Sequence, residues 1–282
     1  MIPTMLIFHD NCPDGVGSAW WLARHLDGNM LAHPGVYGQP PPEVTGMDVW
    51  LLDFSYPPDV MATIATQARS VTVLDHHQTA ANQPWDGWEM WSSIDLFLAA
   101  ESSARLRVVI DQTRSGVGLV SELVRHLWGA LPPAFLANIE DRDLWRFALP
   151  DTPAVCAAVT SFPLTPDSFT LLAGWTHERL VTEGAAITRY RDMLIDQCVD
   201  NARQEAMFGF EDVWVASAPY TIGSDVAGRL AERDPARFAC YYVDRPDGRQ
   251  WGLRSGPGGM DVATIAARYG GGGHRHAAGI SP

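Results

Sequence analysis

Short apolar runs alternate with segments of helical pattern along the first half of the chain. The runs predict buried strands at residues 5–8, 48–53, 70–74 and 106–111. Helical patterns cover residues 18–26 and 115–126, and another helix begins near Pro57, where proline suits a first turn. Strands that alternate with helices predict an α/β fold in which a parallel sheet carries helices on both faces.

The second half opens with a long helical pattern at residues 176–207, which predicts a linker between two domains. Beyond it we predict strands at residues 213–216, 238–243 and 251–254, the last two joined by a turn into a hairpin. A glycine loop is expected at 270–274. The expected organisation has three parts: a larger domain at 1–175, a helical linker at 176–207 and a smaller α/β domain at 208–282.

The net negative charge of the chain makes some classes of binding partner less favourable than others. The 282 residues carry 33 acidic and 20 basic side chains, a formal net charge of −13. This balance argues against a protein that binds long duplex nucleic acid through a broad basic surface. It leaves room for a short anionic substrate held by a few well-placed groups.

No segment is expected to direct the chain to a membrane or to an oxidising compartment. No apolar run reaches about 18 residues, and the start of the chain lacks the basic region of a signal peptide. The four cysteines lie far apart without a CxxC pair, which argues against a disulfide framework or a structural zinc site. We therefore predict a reducing, cytoplasmic location and no membrane partner.

Acidic and histidine side chains follow three of the predicted strands at the points where they end. They are His9 and Asp14 after the first strand, Asp53 after the second, and Asp75, His76 and His77 after the third. A fourth acidic cluster contains Asp141 and Asp143. Since ligands of open α/β sheets bind beyond the carboxyl ends of strands, we expect these groups to converge. Each cluster alone also fits a capped strand end or a local ion pair, but the set fits two divalent cations, which need several carboxylates.

These residues, in this order, resemble the DHH phosphoesterase superfamily, named for an Asp-His-His motif that is Asp75-His76-His77 here. The end of the chain strengthens the resemblance. Residues 271–279 read GGGHRHAAG, which is similar to the GGGHxxAAG motif of the substrate-binding DHHA1 domain. The resemblance covers nearly the whole chain. It implies a DHH metal-binding catalytic domain at 1–175 and a DHHA1 domain at 208–282.

The resemblance also implies a role for each matching residue. The implied metal ligands are His9, Asp14, Asp53, His76 and Asp141, with Asp53 and Asp141 as bridges. Two cations are expected, Mn²⁺ first, although other divalent metals suit such ligands. Asp75 is expected to orient its neighbours and His77 to face the scissile phosphate. The implied substrate-binding residues are Arg254, Gly271, Gly272, Gly273 and His274.

The implied activity is metal-dependent hydrolysis of phosphodiester or phosphomonoester bonds by a metal-activated water, as in a phosphodiesterase or exonuclease of class EC 3.1. The expected substrates are short oligoribonucleotides, linear or cyclic dinucleotides, and cyclic or bis-phosphorylated nucleotides. An inorganic pyrophosphatase-like hydrolase is one alternative, which the GGGH sequence disfavours. A nucleotide-binding sensor that has lost a metal site is another. The oligomeric state stays open, with a homodimer as one option.

Two positions leave alternatives open. Many relatives have Asp-x-Asp in the cluster that follows the first strand. In this chain that position reads Cys12-Pro13-Asp14, so Cys12 stands in the place of the first aspartate. Cys12 is either a soft ligand that shifts preference from Mn²⁺ toward Fe or Zn, or an unreactive thiol. If it is not a ligand, Asp10 takes its place or one metal site is weak. The fourth acidic cluster offers Asp141 and Asp143 as metal ligands. The spacing to Leu144 and Trp145, which follow, favours Asp141 as the ligand.

Overall fold

The computed structural model describes residues 2–281, and the chain divides into two compact units. The first unit spans Met1–Thr188 and the second spans Arg189–Pro282. A 24-residue helix, His177–Asp200, runs across the division. The three-part organisation expected from the sequence places its boundaries differently, and those boundaries stay a prediction.

The first unit contains a six-stranded sheet and nine helices among the described residues, counting the helix that crosses the division. Its strands are β1 (Thr4–His9), β2 (Met30–Gly35), β3 (Asp48–Leu52), β4 (Ser70–Asp75), β5 (Glu89–Trp91) and β6 (Leu106–Ile110). Its helices are α1 (Pro13–Ala23), α2 (Pro58–Gln67), α3 (Gln78–Ala81), α4 (Ile94–Ala100), α5 (Gly116–Trp128), α6 (Ala134–Asp143), α7 (Thr152–Thr160), α8 (Pro166–Ala173) and α9 (His177–Asp200).

All strand pairs in this sheet are parallel, in the order β2-β1-β3-β4-β6-β5. After β1 the chain adds β2 on one side and then crosses to add β3 on the other. The carboxyl ends of β1 and β3 therefore flank a point where the strand order reverses. Such a point is where α/β sheets leave a crevice for a ligand.

Both faces of the sheet are buried, which explains why its central strands are near-continuous apolar runs. Successive side chains of a strand point to opposite faces. In β1, Leu6 and Phe8 pack into a cluster with α1 and α5, while Met5 and Ile7 pack into a second cluster with α2. The predicted α/β class, with a parallel sheet between helical layers, is confirmed.

The four strands predicted in this unit are present, and two more were missed. β2 contains Pro34 and is mostly not buried, and β5 is a three-residue strand with two exposed side chains. Both lie at the edges of the sheet. Edge strands have no need of an apolar run, so the sequence carried no strong signal for them.

The second unit is built on a separate mixed sheet. Its strands are β7 (Arg203–Met207), β8 (Phe210–Ser217), β9 (Ala239–Arg245), β10 (Gly248–Arg254), β11 (Gly272–His274) and β12 (Ala277–Ile280), and its further helices are α10 (Tyr220–Ala231) and α11 (Val262–Ala267). The order is β11-β12-β10-β9-β8-β7, in which only the β8–β9 pair is parallel. The predicted β9–β10 hairpin is confirmed.

Two local predictions in this half of the chain were wrong. The helical pattern was expected to reach residue 207, but α9 ends at Asp200 and β7 pairs antiparallel with β8. Phe208 and Gly209 have φ values of 54° and 83°, and this left-handed turn reverses the chain into a hairpin. The glycine run is not simply a loop, since β11 pairs with β12.

No helix within residues 2–281 has the length and apolar character required to cross a membrane.

Candidate metal centre

Three parallel strands deliver polar side chains to one edge of the first sheet. His9 is the last residue of β1, Asp53 follows β3 directly, and Asp75 ends β4 before His76 and His77. The strands are neighbours, in the order β1-β3-β4, so their carboxyl ends bring these residues together. His9 Nδ1 lies 3.5 Å from Asp53 Oδ2, and His76 Nε2 lies 3.0 Å from Asp53 Oδ1.

Asp53 lies at the middle of this group. Its backbone has a left-handed φ of 56°, which turns the chain sharply at the end of β3. The side chain is 1% exposed, and its Oδ2 atom has no hydrogen-bond partner among the described residues. An orphaned carboxylate oxygen at this depth is costly unless another group satisfies it.

Two overlapping sets of potential ligands share Asp53. One set consists of His9, Asp53 and His77, the other of Asp14, Asp53 and His76. Within each set the ligand atoms lie within 4.8 Å of one another. Imidazole nitrogens and carboxylate oxygens suit Mn²⁺, Fe²⁺, Co²⁺ or Zn²⁺. A carboxylate common to two sets is suited to a pair of cations, which in two-metal sites lie about 3.5–4 Å apart.

Asp14 enters the cluster from the first turn of α1 and is fixed by the start of α5. Its Oδ1 accepts hydrogen bonds from Ser115 Oγ at 2.6 Å and Val117 N at 3.0 Å, and its Oδ2 accepts one from Gly116 N at 2.6 Å. A Cβ atom on Gly116 would lie 2.5 Å from Asp53 Cβ. The glycine therefore allows α5 to begin directly against two candidate ligands.

Asp75 orients the two histidines that follow it. Its Oδ1 accepts hydrogen bonds from the backbone N–H groups of His76 and His77 and from His77 Nδ1, and its Oδ2 accepts one from Ser55 Oγ. Burial opposes ionisation, but the charge and hydrogen bond of His77 outweigh it and lower the pKa of Asp75 to about 2. The ionised carboxylate in turn raises the pKa of His77, against the opposing effect of burial.

The fourth motif requires a correction, because Asp143 and not Asp141 faces the cluster. Asp141 Oδ1 accepts a hydrogen bond from Ala148 N at 2.9 Å, and its Oδ2 accepts from Leu149 N at 3.1 Å and from Thr152 Oγ1. These bonds tie both oxygens to the loop that follows α6 and to the first residue of α7. Asp143 Oδ2 lies 3.4 Å from His76 Nε2 and has no hydrogen-bond partner among the described residues. Asp143 therefore takes the place of Asp141 in the candidate ligand set.

The cluster carries an excess of buried negative charge. Burial, reinforced by Asp53, raises the pKa values of Asp14 and Asp143. Burial alone would lower the pKa of His76, but its hydrogen bond to Asp53 and the nearby carboxylates raise it to about 10. Burial opposes ionisation of Asp53, but its hydrogen bond to His76 and the proximity of His9 and His77 outweigh burial and hold the pKa of Asp53 well below its usual range. Crowded carboxylates with orphaned oxygens fit divalent cations, which would neutralise this charge.

Some residues around the cluster were missed by sequence reasoning. The Tyr37 ring makes an edge contact with His9, with 5.6 Å between ring centroids, and also packs on Phe54. Ser115 and Ser55 hold Asp14 and Asp75 as described above. A serine before the helical pattern of α5 was a signal for a helix cap, but its bond to a residue 101 positions away was not readable.

The chain has recognisable relatives among known proteins. It is 26% identical over 304 aligned residues to the uncharacterized protein R106 of Acanthamoeba polyphaga mimivirus, a match that covers 98% of this chain and 67% of R106. Of the solved structures, RecJ from Thermus thermophilus in complex with Mn²⁺ has a TM-score of 0.50 at 14% identity, covering 99% of this chain and 49% of RecJ. The DHH domain of a member of a ribosomal protein family also has a TM-score of 0.50, at 12% identity, covering 99% of this chain and 82% of that one. No protein-family model matches the chain.

The chain has the fold of DHH-domain proteins. The resemblance inferred from the Asp-His-His motif is confirmed at the level of the fold. In this DHH fold, Cys12 precedes α1 beside the cluster, and burial raises the pKa of its thiol well above the usual value. Neighbouring carboxylates raise it further, and Cys12 belongs to neither ligand set that shares Asp53. Asp10 belongs to neither ligand set that shares Asp53.

The predicted substrate-binding residues lie together in the second unit. Arg254 ends β10 and His274 ends β11, and both are in register with Ala277 of the strand between them. Arg254 donates hydrogen bonds to Ser224 Oγ at 2.6 Å and to its neighbour's carbonyl oxygen. At Gly271 an added Cβ would lie 2.1 Å from the Gly279 carbonyl oxygen. Close strand pairing therefore already requires glycine there, and a role for Gly271, Gly272 and Gly273 in substrate binding stays a prediction.

Proposed function

We propose that this protein is a metal-dependent phosphoesterase that hydrolyses phosphodiester or phosphomonoester bonds of short nucleotides. The observation that carries the proposal is the buried, partly orphaned carboxylate of Asp53, which two sets of ligand atoms share. Hydrolase activity in general is what the DHH fold supports, and RecJ, which has this fold, was solved with Mn²⁺. Mn²⁺ is therefore the first cation to test.

With His77 reserved for the substrate, the proposed donor set includes five side chains. They are His9, Asp14, Asp53, His76 and Asp143. Divalent cations bound there would supply Lewis-acid chemistry to a water and to a phosphoryl oxygen of the substrate. The protein contributes fixed ligand positions, since Asp14 is held by the start of α5 and Asp53 by its left-handed backbone. Ligands fixed in this way lose little freedom when a cation binds.

His77 is suited to stabilise negative charge on the substrate. Its Nδ1 donates to Asp75 Oδ1 at 2.7 Å, and the same carboxylate raises the pKa of His77, which favours the imidazolium form. A positive charge fixed beside the cluster would be oriented before the substrate arrives. Preorganised charge of this kind stabilises the charge that develops during phosphoryl transfer.

The net charge of −13 limits the substrates to short ones. An acidic surface repels a long duplex but costs a short nucleotide little when a few cationic groups hold it. Arg254 and His274, placed by β10 and β11, are the groups that we propose for substrate binding. Because the five donors are present without Cys12, the geometry favours an active hydrolase over a nucleotide-binding sensor with a lost metal site.

A substrate screen with Mn²⁺ tests the proposal. The substrates are a five-nucleotide RNA, linear and cyclic dinucleotides, a bis-phosphorylated mononucleotide and inorganic pyrophosphate. We expect release of mononucleotide or phosphate from at least one nucleotide. Asp53→Asn should lower that rate by at least about 100-fold, because it removes a shared ligand while asparagine tolerates the same backbone conformation.

Asp59→Asn is the matched control, since Asp59 is exposed in the first turn of α2 and should leave the rate unchanged. Hydrolysis of pyrophosphate alone would support the pyrophosphatase-like alternative. Absence of hydrolysis with Mn²⁺, Co²⁺, Mg²⁺ and Zn²⁺, or an unchanged rate in Asp53→Asn, would refute the proposal.

A further inference from the structure

A short loop after α6 has an unusual backbone and carries two exposed aromatic rings. We call residues 144–149 the aromatic loop. Trp145 and Phe147 have φ values of 54° and 47°. Bulky side chains rarely adopt this left-handed conformation, which costs of the order of 1–3 kcal/mol per residue.

Burial does not compensate for this strain. Trp145 is 48% exposed and Phe147 is 37% exposed. The two rings contact each other edge to face, with 5.0 Å between their centroids and an interplanar angle of 84°. The loop therefore presents two rigid aromatic side chains outward at a cost in backbone energy, and such local strain is concentrated at functional sites.

Asp141 holds the loop in this shape. Its buried carboxylate accepts hydrogen bonds from Ala148 N, Leu149 N and Thr152 Oγ1, and its carbonyl oxygen accepts one from Arg146 N at 2.9 Å. The aromatic loop is thus preorganised and is not a mobile segment that happens to expose apolar rings.

The aromatic loop begins directly after a candidate metal ligand. Trp145 is two residues beyond Asp143, whose Oδ2 lies 3.4 Å from His76 Nε2. Two residues of chain span at most roughly 7 Å. A phosphate bound at the metal centre would therefore place an attached nucleoside within reach of the Trp145 ring.

We infer that Trp145 and Phe147 form a platform that stacks on a nucleobase of the substrate, which makes the aromatic loop a determinant of specificity for nucleotides over other phosphate esters. The inference rests on the proposed function. Stacking on an aromatic side chain suits any nucleobase, because every base has a flat π-face. The guanidinium carbon of Arg142 lies 5.7 Å from the Trp145 ring centroid and adds positive charge beside the platform.

Paired substrates test the platform directly. The kcat/KM of a linear dinucleotide is compared with that of the same dinucleotide carrying an abasic sugar at either position, for wild type, Trp145→Ala, Trp145→Phe and Phe147→Ala. For each variant we take the ratio of kcat/KM for the intact dinucleotide to kcat/KM for each abasic analogue. We expect Trp145→Ala to lower this ratio by about tenfold for the analogue that lacks the stacked base, the loss typical of one base–aromatic stack. Trp145→Phe should restore most of the ratio. Trp128→Ala, at an exposed tryptophan at the end of α5, should leave it unchanged.

Equilibrium binding of GMP in the presence of Mn²⁺ separates this inference from the proposed function. If no substrate is hydrolysed but Trp145→Ala still weakens GMP binding about tenfold, the platform stands and the proposed function fails. If nucleotides are hydrolysed and Trp145→Ala changes neither the ratio nor GMP binding, the platform is refuted alone. Two other results for Trp145→Ala would also refute the platform. One is an equal loss of kcat/KM on the intact and abasic dinucleotides together with fewer bound Mn²⁺ ions, and the other is a change in oligomeric state alone.

Discussion

At the scale of single residues, the carboxylate of Asp75 organises the Asp-His-His motif without needing to touch a cation. It is fully buried and accepts four hydrogen bonds, three of them from the two histidines that follow it. Each of these bonds favours the ionised carboxylate. The pKa of Asp75, lowered to about 2 from 3.8, therefore links the folding of the motif to pH.

The sign of this linkage follows from the lowered pKa. The unfolded chain binds the proton more tightly than the folded chain, so the contribution of Asp75 is present above about pH 4 and is lost as the pH falls toward about 2. A shift of nearly two units corresponds to about 2 kcal/mol. We expect the free-energy cost of Asp75→Asn, measured by urea unfolding with EDTA present, to be about 2 kcal/mol larger near pH 5 than near pH 2.

Asp59→Asn serves as the control for this measurement, because Asp59 is exposed. A cost of Asp75→Asn that stays constant between about pH 5 and about pH 2 would contradict the assigned role of Asp75.

The sequence was sufficient to predict which residues join the candidate site where a residue of suitable chemistry directly follows a strand. It was not sufficient where three-dimensional packing alone decides which side chain faces the site. His9, Asp53 and the Asp-His-His motif follow apolar strands, so their convergence could be inferred from the rule for parallel sheets. Asp141 and Asp143 lie on the same short helix, α6, and the sequence offers no rule for which one turns toward the cluster. The hydrogen bonds of the loop after α6 decide it, and they depend on a backbone shape that no sequence pattern predicts.

At the scale of elements, α5 links the stability of the fold to the geometry of the candidate metal centre. The buried N-cap residue Ser115 accepts a hydrogen bond from Gly118 N and donates one to Asp14 Oδ1. The first N–H groups of α5 also donate to Asp14, which suits the partial positive charge at a helix N-terminus. A helix end is therefore used to fix a candidate ligand.

Two serine caps provide a matched test of this link. Ser115→Ala should destabilise the protein by about 1 kcal/mol through loss of the cap, and it should also weaken Mn²⁺ binding by roughly 10–100-fold because Asp14 loses a partner. Ser93 caps α4 through Leu96 N, away from the ligand set. Ser93→Ala should cost a similar free energy of unfolding and leave Mn²⁺ affinity unchanged, as calorimetry can show. Equal affinities in the two variants would contradict the role given to Ser115.

Helices and strands with a clear pattern of apolar residues were predictable from the sequence. Elements that form only by pairing with a neighbouring strand in space were not. The apolar runs of β1, β3, β4 and β6 are consequences of burial on both faces. By contrast, β7 contains residues typical of a helix and becomes a strand only because β8 lies beside it. Pairing with a neighbouring strand overrides local propensity in this case.

At the scale of the whole molecule, an acidic chain concentrates buried and partly buried carboxylates at one edge of one sheet. Asp14, Asp53, Asp75 and Asp143 lie together in the first unit, and the raised pKa values of Asp14 and Asp143 reflect burial and repulsion that bound cations would offset. Cations that bind only the folded state would stabilise it, by about 2.7 kcal/mol at a concentration roughly one hundred times the dissociation constant. The chain thus combines the fold of DHH-domain proteins with a cluster of carboxylates and imidazoles whose atoms suit a divalent cation.

The number of Mn²⁺ ions bound per chain tests the central claim most directly. Titration of the wild type, Asp143→Asn and Asp141→Asn, with Mn²⁺ binding followed by electron paramagnetic resonance, should give two ions per wild-type chain. Asp143→Asn should bind fewer or bind them more weakly. Asp141→Asn should still bind two while unfolding at lower denaturant concentration, because its buried hydrogen bonds are worth about 1–3 kcal/mol. A wild type that binds no Mn²⁺, or full binding by Asp143→Asn alongside loss in folded Asp141→Asn, would contradict the claim.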